Sequence, residues 1–74
     1  MTLDQVRKGS VVQILSIPGA EERAQLIRLG LGEGCRVRCA ERLPLGPLVL
    51  RCHRQEVALG RNLARRIEVR EESE

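Results

Sequence analysis

The sequence predicts a mainly β domain with one helix, folded as a small, partly open barrel of about five short antiparallel strands. Stretches rich in β-branched or alternating apolar residues recur along the chain, separated by glycine, proline or polar connections. One stretch has helical spacing instead and ends at a glycine. Most strands are close in sequence, so antiparallel pairing of neighbours needs the shortest connections.

The first elements are a short lead-in and a strand. Leu3 and Val6 predict a single helical turn or an extended segment, with Thr2 as its cap. Residues 10–17 are rich in β-branched side chains, and apolar residues fall on both faces. We therefore expect a central strand rather than an edge strand, ended by Pro18 and the glycine after it.

A helix is predicted over residues 20–29. Glu21 and Glu22 fall in its first turn, where carboxylates favour the positive end of the helix dipole. Gly30 stands where a left-handed helix terminator belongs, and Leu31 can pack back on the last turn. These residues give a strong helix-end signal.

The rest of the chain alternates between strands and turns. Strands are predicted over 35–43, 48–52, 56–59 and 65–70, with a proline-bounded loop at 44–47, a tight connection at 53–55 and a helical turn at 60–64. All of residues 1–74 form one domain, since a chain this short builds only one core. The acidic tail, 71–74, is expected to be frayed.

Charge and cysteine usage suggest where the protein works. The formal charge is +3, and without the three tail glutamates thirteen basic side chains face seven acidic ones. No apolar run approaches the roughly 20 residues that span a bilayer, and no signal-peptide pattern is present. The 3 cysteines are an odd number, which argues against a disulfide framework. We expect a cytoplasmic protein.

The cysteines and the single histidine are the candidates for a metal site. Cys35 and Cys39 are four residues apart on a predicted strand, which separates their Cα atoms by roughly 13 Å. Cys52 and His53 are adjacent, so strand alternation points them to opposite faces. Free cysteine commonly fills cores. We therefore expect the thiols to pack inside and predict no metal-binding residue.

Nucleic-acid binding and catalysis are weakly supported. Five arginines could form a basic face on adjacent strands, namely Arg36, Arg38, Arg42, Arg51 and Arg54. The chain has no aromatic residue on which bases could stack, so only salt-dependent phosphate contacts remain.

No Ser/His/Asp set that could act in catalysis is present. The glycines at 30–34 follow a helix and precede a strand, which is the reverse of the strand-loop-helix order of a phosphate-binding loop. Neither catalytic nor cofactor-binding residues are predicted.

The chain as a whole resembles the FeoA family of small cytoplasmic proteins in bacterial ferrous iron transport. The matching segments are "LDQVRKGS", "RAQLIRLGLGEGCRV" and "LPLGPLVLRCHRQEVALGRNLARRIEV". The second stands in place of the family's helix and Leu-Gly-Leu-x-x-Gly signature. Departures are Gly60, where a basic residue is usual, Glu33, where proline is common, and cysteines in place of aliphatic residues.

The resemblance implies an SH3-like barrel that is not an enzyme and has no cofactor. It also implies that the protein docks on the cytoplasmic part of FeoB, a membrane GTPase permease. The "LPLGP" loop or the helix would supply the contact, and the candidate residues are Leu26, Leu29 and Leu45. Two alternatives stay open: a basic barrel that binds nucleic acid through phosphates, and a metal-sensing regulator of the transporter.

Overall fold

The computed structural model describes residues 1–72, which form a single antiparallel sheet with helical segments packed against it. The five strands are β1 (Val11–Ser16), β2 (Arg36–Arg42), β3 (Leu48–Cys52), β4 (Gln55–Leu59) and β5 (Glu68–Glu72). Their order across the sheet is β4-β3-β2-β1-β5, so β4 and β5 are its two edges and the sheet is not closed. The predicted mainly β class and the partly open barrel are confirmed.

β1 is an interior strand, as its two-sided apolar pattern predicts. It pairs with β2 on one side and with β5 on the other. Val12 and Ile14 are buried, whereas Leu15 on the opposite face is 46% exposed. The pairing register with β5 shifts between Ile14 and Ser16, at the end of β1 and just before the connection to the main helix.

The main helix, α1 (Ala20–Arg28), ends as the sequence indicates. Gly30 has a φ of 83°. Its N–H donates to the Ile27 carbonyl, and the N–H of Leu31 donates to the Leu26 carbonyl, at 2.9 and 2.8 Å. This pair of bonds is a Schellman motif, which satisfies carbonyls that the helix leaves unpaired. Leu31 is then fully buried.

Two shorter helical segments complete the fold. A 3-10 turn covers Leu3–Gln5, and α2 covers Arg61–Ala64. Leu3 and Ala64 are completely buried, so both segments close off the core that the open sheet leaves uncovered. Within residues 1–72, no helix is both long and apolar enough to cross a membrane.

Within residues 1–72, the core contains only aliphatic side chains and thiols. Every strand and every helical segment contributes to it, and its members are Leu3, Val6, Val12, Ile14, Ile17, Leu26, Leu31, Val37, Cys39, Leu48, Leu50, Cys52, Leu59, Ala64, Ile67 and Val69. Because no aromatic ring is available, complementary packing of many small branched groups must supply the burial.

The C-terminal strand differs from the prediction. The strand expected over 65–70 is β5 at Glu68–Glu72, since Arg65 still belongs to the end of α2. The expectation of a frayed tail is wrong for Glu71 and Glu72, which pair with β1 and prolong the sheet. The Glu72 carboxylate also pairs with Arg36 at 3.2 Å, which helps to hold the strand end. Residues 73–74 of the predicted tail lie outside the described residues.

Because α1 contributes Leu26 to the core, alanine substitutions at neighbouring positions of α1 should change the free energy of unfolding by unequal amounts. Leu26 is fully buried, whereas Ile27 is 58% exposed. Leu26→Ala should lower the free energy of unfolding by about 3 kcal/mol, because it leaves a cavity in the core. The matched variant Ile27→Ala should change it by less than about 0.5 kcal/mol. Urea unfolding measures both, and equal losses would contradict the packing described here.

Candidate functional site

The β2–β3 loop holds an apolar side chain in an unusual position. Leu43, Pro44, Leu45 and Gly46 form a tight turn, in which the Gly46 N–H donates to the Leu43 carbonyl at 3.1 Å. Leu45 has a φ of 57° and is the third residue of the turn, a place that normally favours glycine. Its side chain is also fully exposed, at 102%.

Arg61, the first residue of α2, fixes this loop. Its Nε donates to the Gly46 carbonyl and its Nη2 to the Leu43 carbonyl, both at 2.8 Å. The guanidinium therefore bridges the two carbonyls that flank the tip. A shallow hollow beside the loop is lined by Leu45–Pro47, Gly60–Asn62 and Arg65. We call Leu43–Pro47 together with Arg61 the leucine loop.

The other two predicted contact residues lie elsewhere. Leu26 has no exposed surface, so it offers nothing to a partner directly. Leu29 is half-buried and packs against the core. It also lines a groove between α1 and α2, whose other walls include Glu22, Gln25 and Leu63. Of the three candidates, Leu45 alone is fully exposed.

The three thiols do not share one environment. Cys39 and Cys52 are buried, as predicted, but Cys35 is only partly buried. Cys39 lies in the core with its Sγ 3.6 Å from the Glu41 carbonyl, and burial raises its pKa. Cys35 lies just before β2, and its Sγ is 3.5 Å from the Gly30 carbonyl at the end of α1.

Cys35, Cys52 and His53 form a cluster that the sequence reasoning missed. The expectation that Cys52 and His53 point to opposite faces is wrong, because β3 ends at Cys52 and His53 already lies in the hairpin turn, with a φ of 51°. The Cys35 Sγ is 3.5 Å from the Cys52 Sγ and 4.0 Å from Nε2 of His53. All three ligand atoms lie within 4.8 Å of one another.

The β3–β4 hairpin turn explains this placement. Cys52 pairs with Gln55, so the loop has two residues, His53 and Arg54. Their φ angles of 51° and 70° match a type I′ turn, which normally favours asparagine and glycine. Nε2 of Gln55 then donates to the Leu29 carbonyl at 2.8 Å. The hairpin tip is thereby bonded to the end of α1.

Proximity to Cys35 also affects the thiol of Cys52. Burial, together with the hydrogen bond between the two thiols, raises the pKa of Cys52 from 9.0 to about 11. Cys52 therefore remains a protonated thiol at neutral pH in the absence of an ion that replaces its proton. It is a poor nucleophile in that state.

Much of the predicted basic face is engaged within the protein. Arg36 pairs with Glu72, the Arg38 guanidinium donates to the Gly9 carbonyl at 3.0 Å, and that of Arg42 donates to the Val6 carbonyl at 2.7 Å. These contacts direct guanidinium groups toward the protein's own acceptors. A face that binds nucleic acid mainly through phosphates would leave these guanidinium groups free to contact the ligand.

Comparison with known proteins agrees with the fold and with the motifs. The family model described as FeoA domain matches residues 1–71. The chain belongs to the FeoA family. FeoA is linked to iron transport and is a family of small accessory domains rather than of enzymes. Among curated proteins, no sequence is similar enough to count as a match.

Solved FeoA structures superpose closely on this one. An iron uptake regulatory protein (FeoA) is 28% identical with a TM-score of 0.88, and 96% of each chain is covered. FeoA from Chlorobium tepidum is 27% identical with a TM-score of 0.87, covering 99% of this chain and 71% of that one. Stenotrophomonas maltophilia FeoA, a zinc complex described as a procaryotic SH3 domain protein, is 25% identical with a TM-score of 0.73, covering 95% and 89%. The predicted SH3-like class is confirmed.

The raised pKa of Cys52 predicts a loss of stability at alkaline pH. The folded-state value of about 11 lies above 9.0, so the unfolded chain releases this proton first. The stabilising contribution is complete below about pH 9 and is lost as the pH rises toward about 11. Between about pH 8 and pH 10.5, the wild type should lose about 1–2 kcal/mol more than Cys52→Ala. Urea unfolding at each pH measures this difference, and parallel pH profiles would contradict it.

Proposed function

We propose that this FeoA protein is a non-enzymatic, cytoplasmic accessory protein of ferrous iron uptake that docks on the cytoplasmic part of a FeoB-type GTPase permease through its leucine loop. The observation that supports the proposal most is Leu45, which is fully exposed and has a positive φ. A leucine there adds nothing to the protein's own core. The exposed side chain and the positive φ of Leu45 cost the free protein free energy, and burial of the side chain by a partner offsets that cost.

The energetics favour a single apolar anchor. Burying one leucine side chain contributes about 1.5–3 kcal/mol, enough to change an affinity by one to two orders of magnitude. Because Arg61 holds the carbonyls of Leu43 and Gly46, the loop loses little conformational freedom on binding. A rigid tip therefore converts most of the burial into affinity.

The groove beside Leu29 fits the same proposal as a secondary contact. Its walls combine the apolar Leu29 and Leu63 with the charged Glu22 and Arg66. Glu22 and Arg66 pair with each other at 3.5 Å, so the charged rim is already balanced. A partner segment here would add apolar contact, while the orientation of the complex would come from the leucine loop.

Substitutions at Leu45 separate docking from folding. Leu45→Asp should weaken binding to the cytoplasmic part of the permease at least tenfold, because it places a charge at the apolar contact. Leu45→Gly should weaken binding as well, yet stabilise the free protein by about 0.5–1 kcal/mol, since glycine relieves the positive φ. Calorimetric titration and urea unfolding measure the two effects.

Ile27→Asp is the matched control, because Ile27 is a large exposed hydrophobic residue on α1, outside the leucine loop. It should leave binding nearly unchanged. Wild-type affinity in both Leu45 variants would contradict the proposal, and so would equal losses in Leu45→Asp and Ile27→Asp.

Arg61 provides an independent test of the rigid tip. Arg61→Gln cannot donate to both carbonyls in the same geometry, so the loop should gain mobility while Leu45 stays unchanged. We expect a several-fold loss of affinity that appears mainly as a less favourable binding entropy. Arg51→Gln, a change at an exposed arginine of β3 outside the leucine loop and its hollow, is the control. If Arg61→Gln bound like the wild type, preorganisation by Arg61 would be refuted.

A further inference from the structure

We propose that Cys35, Cys52 and His53 form a binding site for a thiophilic metal ion. Zn²⁺ is the ion that the ligand set fits best. The proposal rests on three side chains of this chain, and it is independent of docking through Leu45. Two sulfurs and one imidazole nitrogen converge within 4.8 Å from two separate segments of the chain. Such a set matches the ligands that zinc prefers.

The distances fit a tetrahedral ion. With Zn–S bonds of about 2.3 Å and Zn–N bonds of about 2.0 Å, tetrahedral angles place two sulfurs about 3.8 Å apart and a sulfur and nitrogen about 3.5 Å apart. The observed Cys35–Cys52 separation is 3.5 Å, and the Cys35–His53 separation is 4.0 Å. Both Cys35 separations are therefore within about half an ångström of the tetrahedral values. The third pair, Cys52 Sγ and the His53 ring, lies within 4.8 Å, so the exposed imidazole moves by up to about 1.3 Å to complete the shell.

The strand register favours a shared ion over a disulfide. The β2–β3 ladder ends at the pair Arg38 and Arg51. Extrapolated by one residue, its register sets Cys52 opposite Val37. Cys35 is then a diagonal neighbour of Cys52. Diagonal Cα atoms are about 7–8 Å apart, beyond the range of about 4.4–6.8 Å that disulfides usually span. An ion bridges this separation because it adds two metal–sulfur bonds between the side chains.

The burial pattern suits entry of an ion from solvent. Cys52 is 4% exposed and contacts the core, while Cys35 is half-buried and His53 is exposed. Binding releases both thiol protons, and two thiolates neutralise a divalent cation. The resulting centre has no net charge, so its contact with the apolar core is tolerated. The exposed side leaves a fourth position for water or a partner's ligand.

The chemistry selects the class of ion. Within residues 1–72, no carboxylate belongs to the cluster, so these ligands do not suit Mg²⁺ and Ca²⁺, which require oxygen. Ferrous iron binds more weakly than zinc to nitrogen and sulfur ligands of this kind. An ion here would tie the β3–β4 hairpin to the segment between α1 and β2, where Gln55 already bonds the Leu29 carbonyl.

Cobalt(II) is the probe for the test, because tetrahedral thiolate coordination gives it a characteristic charge-transfer absorption. The full chain, kept reduced with a non-thiol reductant, is titrated with Co²⁺ and then with Zn²⁺. We expect one Co²⁺ per chain with the thiolate band, displacement by Zn²⁺, and a higher melting temperature in the presence of Zn²⁺.

Matched variants assign the ligands. Cys35→Ala should abolish the band and the thermal shift, and His53→Asn should weaken Co²⁺ binding at least about tenfold. Asparagine accepts the positive φ at residue 53, so this variant keeps its turn even if a cysteine variant failed to fold. Cys39→Ala, a change at a core thiol outside the cluster, should bind like the wild type.

Absence of the thiolate band in the wild type would overturn the proposal. A band that persists in Cys35→Ala, or unchanged affinity in His53→Asn, would overturn it as well. Each of these results would leave the leucine loop and its partner untouched, since the two sites lie at opposite ends of β3, which are about 13 Å apart along the strand.

Discussion

The structure depends on enclosing an aliphatic core with a sheet that does not close. Five strands cover the core from one side, and the uncovered parts are filled by side chains from the helical segments, among them Leu3, Leu26 and Ala64. Without aromatic rings, no single residue dominates the burial. The helical segments therefore complete the core that the strands leave open.

Side-chain bonds to backbone carbonyls fix the loops at both ends of the β2–β3 hairpin. Arg61 bonds two carbonyls at the Leu45 end, and Gln55 bonds the Leu29 carbonyl near the other end. Positive φ angles at Leu45, His53 and Arg54 fall in these same loops. Non-glycine residues in such conformations are often found at binding sites, where the surrounding structure supports them. The fold thus presents Leu45 at one end and the Cys35, Cys52 and His53 cluster at the other.

Most of the fold was predictable from local signals. The terminator at Gly30, the apolar pattern of β1 and the proline-bounded loop each specify a structure within a few residues. The cluster was not predictable, because the turn at His53 and Arg54 carries none of the usual asparagine or glycine signal. Arg61 was missed for a related reason: its two acceptors are carbonyls distant in sequence, and no motif marks such a contact. The tail assignment failed because β1 offers an edge to Glu71 and Glu72 that composition does not reveal.

In the function proposed above, this FeoA protein acts by presenting a rigid apolar tip to a partner. The most direct measurement is a backbone NMR titration of the isotope-labelled chain with the cytoplasmic part of a FeoB-type permease. We expect the largest shift changes on residues 43–47 and on Arg61, with smaller changes around Leu29. Changes centred on Arg51 of β3 and Arg54 of the β3–β4 turn, or no changes at concentrations that saturate binding, would contradict the proposal.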